Sequence, residues 1–105
     1  MRKETVSSNI YYYNDLNQLH RVDGPAIECA NGDKLWFLNG QCHREDGPAV
    51  EYADGTKYWY RNYQFHREDG PAVECADGRK EYWLLGIQYA TKKDYLKRLK
   101  LKSFW

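Results

Sequence analysis

The chain has 105 residues, 42% of them apolar and 30% charged, which suits one small folded domain and excludes a disordered tail. That length also excludes a large Rossmann or barrel enzyme. Net charge is +1, but residues 1–90 hold 10 Lys/Arg against 14 Asp/Glu, while Lys92, Lys93, Lys97, Arg98, Lys100 and Lys102 face only Asp94 in 91–105, so an acidic body carries a basic end.

The first residues, MRKETVSSNI, lack the apolar stretch of a secretory signal. Mean hydropathy is −0.93, and no apolar run approaches the roughly 20 residues of a membrane span. The expectation is a cytoplasmic protein without membrane contact.

A degenerate unit, YYYNDLNQL, precedes the first of three copied blocks. His20-Arg-Val-Asp-Gly-Pro-Ala26 returns as His43-Arg-Glu-Asp-Gly-Pro-Ala49 and as His66-Arg-Glu-Asp-Gly-Pro-Ala72, at a spacing of 23 residues both times. A fixed period of this length is the signature of a repeat array. Each block leads into a short alternating strand, then Asn31-Gly32, Asp54-Gly55 or Asp77-Gly78, then an aromatic-rich strand. Asx-Gly between alternating strands marks a tight hairpin, because positive φ costs little there. A second turn falls at Asn39-Gly40, Asn62-Tyr63 and Leu85-Gly86. Pro25, Pro48 and Pro71 cannot donate to a ladder and belong at strand starts or bends. The fold expected is mainly β: a twisted antiparallel meander of β-hairpin repeats over 11–89 within one domain, 1–105.

Reading each Asx-Gly as a two-residue loop sorts the side chains by strand alternation. Ile27, Cys29, Trp36 and Leu38 then share one face with their equivalents, and this face reads as the core. The other face carries Phe37, Tyr58, Tyr60 and Trp83 among Glu28, Glu51 and Glu74. Exposed aromatics bordered by charge are what partner-binding surfaces use, so these seven residues are the expected partner-binding set, the alternative being that the rings stack along the sheet and only support its twist. A one-residue bulge in the turn reverses the assignment.

The spacing W-x-x-N-G-x-x-H…D-G, carried here by Trp36, Asn39, Gly40, His43, Asp54, Gly55 and Trp59, resembles the MORN-type β-hairpin repeat. The HREDGPA block departs from the short His-Gly-x-Gly of ordinary MORN units and is similar to repeats of phage and large-virus proteins. The resemblance implies a hairpin array with a binding role and no catalytic residues. It also suggests an inhibitor of a host defence system, of the anti-CRISPR kind, acting on a host effector in the host cytoplasm.

Three His at one period invite a metal. Neighbouring units of a two-strand hairpin array lie about 9–10 Å apart, whereas zinc takes its nitrogens at about 2.0–2.1 Å. His20, His43 and His66 therefore form a ladder, and no metal or other cofactor is expected. Arg21, Arg44 and Arg67 precede Asp23, Asp46 and Asp69 by two residues and read as braces for the bend. An acid and a base copied into every unit mark structure, so no enzyme is expected. Cys29 and Cys75 are two units apart, about 19 Å by strand spacing, beyond the roughly 7 Å limit of a disulfide. Cys42 takes the place of Leu19 and Phe65, and the three thiols read as reduced.

Thr91-Lys-Lys-Asp94 reads as a capping box with Asp for Glu. It opens an amphipathic helix within 91–102, with Tyr95, Leu96 and Leu99 on one face and the lysines on the remainder. The apolar stripe reads as the cap of the array's open end. The leading functional expectation is a non-catalytic protein-binding module. Nucleic-acid binding through the basic helix and homo-oligomerisation through open sheet edges are the alternatives.

Overall fold

The computed structural model describes residues 2–101. In chain order the strands are β1 (Arg2–Val6), β2 (Asn9–Tyr13), β3 (Ile27–Glu28), β4 (Lys34–Leu35), β5 (Phe37–Leu38), β6 (Gln41–Cys42), β7 (Val50–Glu51), β8 (Lys57–Tyr58), β9 (Tyr60–Arg61), β10 (Gln64–Phe65), β11 (Val73–Glu74), β12 (Lys80–Leu84) and β13 (Ile87–Tyr89). One helix follows, α1 (Lys92–Leu99). Among the described residues β1-β2-β3-β4-β7-β8-β11-β12-β13 form one open antiparallel sheet, and β5-β6 and β9-β10 form two side hairpins. The mainly β hairpin array with a C-terminal helix is as the sequence led one to expect.

The two kinds of turn differ in length. At the second turns, Asn39 (φ 49°) and Gly40 (φ 81°) form a two-residue loop of type I′, as do Asn62-Tyr63 and Leu85-Gly86. The Asx-Gly turns are one residue longer. Cys29 N–H donates to the Asp33 carbonyl and Gly32 N–H to the Cys29 carbonyl, with Gly32 at φ 103°; Tyr52–Thr56 and Cys75–Arg79 repeat this arrangement. Such a loop is a type I turn closed by a left-handed glycine bulge.

That extra residue corrects the face assignment. Ile27 lies opposite Leu35 and not Trp36, Val50 opposite Tyr58, and Val73 opposite Glu81. Phe37, Tyr58, Tyr60 and Trp83 therefore share a face with the valines, and they are half-buried in the apolar cluster. Glu28, Glu51 and Glu74 lie on the opposite face, directly across from Lys34, Lys57 and Lys80. Opposite charges in register are worth roughly 0.2–1 kcal/mol per pair.

The core is thin and runs along the array. Val50 and Val73 are buried, as is Cys42, with Leu35, Phe37, Tyr58 and Tyr60 packed against the Cys42–Val50 cluster. Phe65 links the rings: it stacks on Tyr60 at 4.4 Å and meets Trp83 at 5.0 Å. Burying a valine or an aromatic ring contributes about 1.5–3 kcal/mol each. Ala26, Ala49 and Ala72 are fully enclosed. Each sits where the strand turns away: Trp36 N–H still donates to the Ala49 carbonyl, while the Trp36 carbonyl already accepts from His43 N–H. A larger side chain at these alanines has nowhere to go.

Thr91 caps α1, its hydroxyl accepting the Asp94 N–H at 3.1 Å. The helix ends at Leu99, earlier than expected. Tyr95 is buried and Leu99 half-buried, but Leu96 is exposed among the lysines and does not join the apolar stripe.

Candidate functional site

The copied block is a bracing device centred on its arginine. Arg44 lies over the Trp36 ring at 3.9 Å, donates from Nε to Asp46 at 2.9 Å and from Nη1 to the Pro48 carbonyl at 3.1 Å. Arg67 does the same with Trp59, Asp69 and Pro71, and Arg21 with Tyr12, Asp23 and Pro25. Each guanidinium also faces the glutamate of its own unit: Glu28 at 3.6 Å, Glu51 at 4.0 Å and Glu74 at 2.7 Å. Glu28, Glu51 and Glu74 of the expected binding set are thus each tied to a neutralising arginine.

The histidines are equally committed. Nδ1 of His20, His43 and His66 accepts the backbone N–H of Asn39, Asn62 and Leu85, at 2.8–2.9 Å. Each ring thereby pins the second turn of its own unit, and its Nε2 carries the proton. His66 Nε2 lies 3.2 Å from Glu68. Among the described residues no three His, Cys, Asp or Glu side chains gather as metal ligands.

The three thiols are free. Burial pushes the Cys42 thiol up to about 12. Burial and then Asp33 raise that of Cys29. Raised thiols are poor nucleophiles at neutral pH.

Between successive bends the braces leave open grooves. The first has a volume of about 740 Å³, within the range of ligand-sized sites. Residues 21–25 form one wall, Trp36 and Leu38 the floor, and residues 43–46 the far wall. Val22 is 80% exposed on its rim, and Asp23, Glu45 and Asp46 add exposed acid. The second groove, about 510 Å³, is more polar: Arg61 lies on its floor in place of Leu38 and pairs with Glu68 at 3.6 Å.

At the C-terminal end the corresponding place is closed by α1. Tyr95 meets the ring of Tyr82, the counterpart of Trp36 and Trp59, at 4.9 Å. Its hydroxyl donates to the Arg67 carbonyl and accepts the Gly70 N–H. Leu84, counterpart of Leu38, is only 2% exposed here.

No family model, curated protein or solved structure matches this chain.

The expected binding residues thus divide among three places. Phe37, Tyr58, Tyr60 and Trp83 lie in the aromatic cluster, Glu28, Glu51 and Glu74 on the opposite face beneath the arginines, and the basic set on α1. Lys92, Lys93, Lys97 and Lys100 ring the exposed Leu96, while Arg98 turns to the Leu101 carbonyl at 3.2 Å. Lys102 lies outside the described residues. Sequence reasoning missed Val22 and Leu38. Their signal was variation between the copies: Val22 stands where the other blocks have Glu45 and Glu68, and Leu38, like Leu84, stands where the second unit has Arg61.

Proposed function

We propose that the chain is a non-catalytic module that binds a protein partner and acts by occupying its surface. The observation that carries this reading is the first groove. It is preformed between two braced bends, floored by Trp36 and Leu38, and rimmed by an exposed valine. A rigid surface loses little conformational entropy on binding, so more of the contact energy appears as affinity. The acids and bases of the repeat are spent on bends and turns, which supports a scaffold role over turnover. The finer form of the proposal, an inhibitor of host defence of the anti-CRISPR kind, draws on the MORN-like resemblance of the HREDGPA blocks.

The test is capture followed by reconstitution with the purified partner. Val22→Glu restores the residue of the other two blocks and leaves the fold alone. The partner is expected to bind the parent chain, to lose at least tenfold in affinity with Val22→Glu, and to keep its affinity with Tyr63→Gly on a distant turn. Equal affinity for all three chains sinks the groove as the binding surface.

A second reading rests on a separate observation: Lys92, Lys93, Lys97 and Lys100 crowd one exposed side of α1. Such a row suits phosphate contacts. It predicts oligonucleotide binding that weakens steeply with salt and vanishes when these lysines become glutamines. Salt-independent or absent gel shifts remove it.

A further inference from the structure

The capped end of the array displays what fills an inter-bend site. Tyr95 covers the Tyr82 ring as Arg44 covers Trp36, and its hydroxyl satisfies two backbone groups of the preceding bend, the Arg67 carbonyl and the Gly70 amide. The equivalent groups of the first bend are the Arg21 carbonyl and the Gly24 amide. Both residues line the first groove, and among the described residues no donor or acceptor reaches either group. The apolar floor matches as well. Leu38 stands where Leu84 lies under the helix, half-buried instead of enclosed. The second groove lacks this match, because Arg61 and Glu68 occupy it.

Resting on the protein-binding reading above, we propose that the first groove accepts a tyrosine side chain presented by a lysine-rich amphipathic helix of the partner. The ring packs between Val22, Leu38 and the Trp36–Arg44 stack. The hydroxyl donates to the Arg21 carbonyl and accepts the Gly24 N–H, the counterparts of the two groups that Tyr95 engages two units further along, while the ring lies beside Arg44, which already covers Trp36, and not in its place. Charge favours the same occupant. Glu45 is exposed on the rim beside Asp23 and Asp46, which Arg21 and Arg44 hold but leave largely exposed, and the docked segment of the chain itself, 91–101, carries five Lys/Arg against one Asp. Complementary potentials of this kind speed encounter and fix orientation. Val22 replaces the Glu of the other two blocks, and Leu38 keeps the leucine that the second unit exchanges for Arg61, so the first groove is the more apolar of the two, as an aromatic anchor requires.

The probe is a synthetic peptide of residues 90–101, ATKKDYLKRLKL, added to the ¹⁵N-labelled full chain at low salt. A helix this short is marginal alone, so millimolar peptide is used. Saturable shifts are expected at the Gly24 amide and the Trp36 indole. A peptide with phenylalanine for the tyrosine loses the Gly24 shift and binds several-fold more weakly. Glu45→Lys and Val22→Glu in the protein each weaken binding at least fivefold. Silence at Gly24 and Trp36 overturns the proposal. So does a response confined to Gly70 and Tyr82, which means the peptide merely replaces the chain's own helix. If the peptide fails but a captured partner still depends on Val22, the occupant is wrong and the protein-binding reading stands. If that dependence is also absent, both fall.

Discussion

The Arg44 guanidinium lies 3.9 Å over the Trp36 ring and reaches the Pro48 carbonyl at 3.1 Å, so one side chain joins the aromatic strand of one unit to the bend that opens the next. The Asp46 carboxylate it also holds is 86% exposed and adds little. The stack contributes about 0.5–2 kcal/mol, and the charged hydrogen bond to a carbonyl about 1.5–3 kcal/mol. Arg44→Ala is therefore expected to cost about 2–4 kcal/mol, read as a lower urea midpoint at unchanged slope. Arg44→Lys keeps the charge but loses the planar fork, and it recovers less than half of that loss. A lysine variant as stable as the parent would reduce the role of the arginine to its charge.

The aromatic face carries the second expectation. Read from sequence, Trp83 and Tyr60 are exposed anchors whose removal spares stability. In the structure Phe65 bridges them, at 4.4 Å to Tyr60 and 5.0 Å to Trp83. Trp83→Ala should then destabilise by roughly 2–4 kcal/mol, somewhat below a fully enclosed aromatic, because the ring is half-buried. Thermal unfolding decides between the two: a melting point within a degree or two of the parent restores the anchor reading.

The sequence already held what was needed to place that face. Its period, both turn positions and the Thr91 cap were legible, because copied Asx-Gly and His-Arg-x-Asp-Gly-Pro segments have few conformations open to them. The loop length was not legible from the dipeptide, since Asx-Gly closes loops of two residues and of three. The charges across the strands do distinguish them. A three-residue loop sets Glu28, Glu51 and Glu74 against Lys34, Lys57 and Lys80. A two-residue loop sets Glu74 against Glu81, a like-charged pair that costs stability. The site was harder to see, because it depends on which copy lacks a feature. Val22 looks like an ordinary conservative variation until the bends are placed side by side, and Tyr95 gives no sign in sequence of standing in for an arginine.

Alkaline pH probes the core from inside. Burial raises the Cys42 thiol to about 12, whereas an unfolded cysteine titrates near 8.5. The stability held by the neutral thiol is complete below about pH 8.5 and is lost as pH rises toward 12, because the unfolded chain releases the proton first. Tyr60, raised by burial to about 12, adds a decline beginning near pH 10. Denaturation midpoints for the parent should differ little between pH 7 and 8.5 and fall at pH 9.5 and further at 10.5. Cys42→Ala should start lower, by about 1 kcal/mol for the lost packing, and fall less steeply between pH 8.5 and 10. Parallel profiles would show that the thiol is open to solvent.

The second turns hold a natural comparison. Asn39-Gly40 and Asn62-Tyr63 form the same type I′ loop, but the second position is glycine at φ 81° in one and tyrosine at φ 66° in the other. Left-handed backbone costs a residue with a Cβ roughly 1–2 kcal/mol, and glycine gives back part of that gain as unfolded-chain entropy. The Tyr63 side chain is 71% exposed, so little packing offsets the strain. Tyr63→Gly is therefore expected to stabilise by about 0.5–1 kcal/mol, a rise of several degrees in Tm for a chain of this size. Gly40→Ala runs the comparison backwards. An added Cβ there meets the Gln18 Cβ at 3.5 Å, an ordinary contact, so its cost is conformational and should match the gain at Tyr63 in size. If Tyr63→Gly lowers Tm instead, the tyrosine ring contributes more to its turn than its exposure indicates, and the loop strain is smaller than its dihedral angles require.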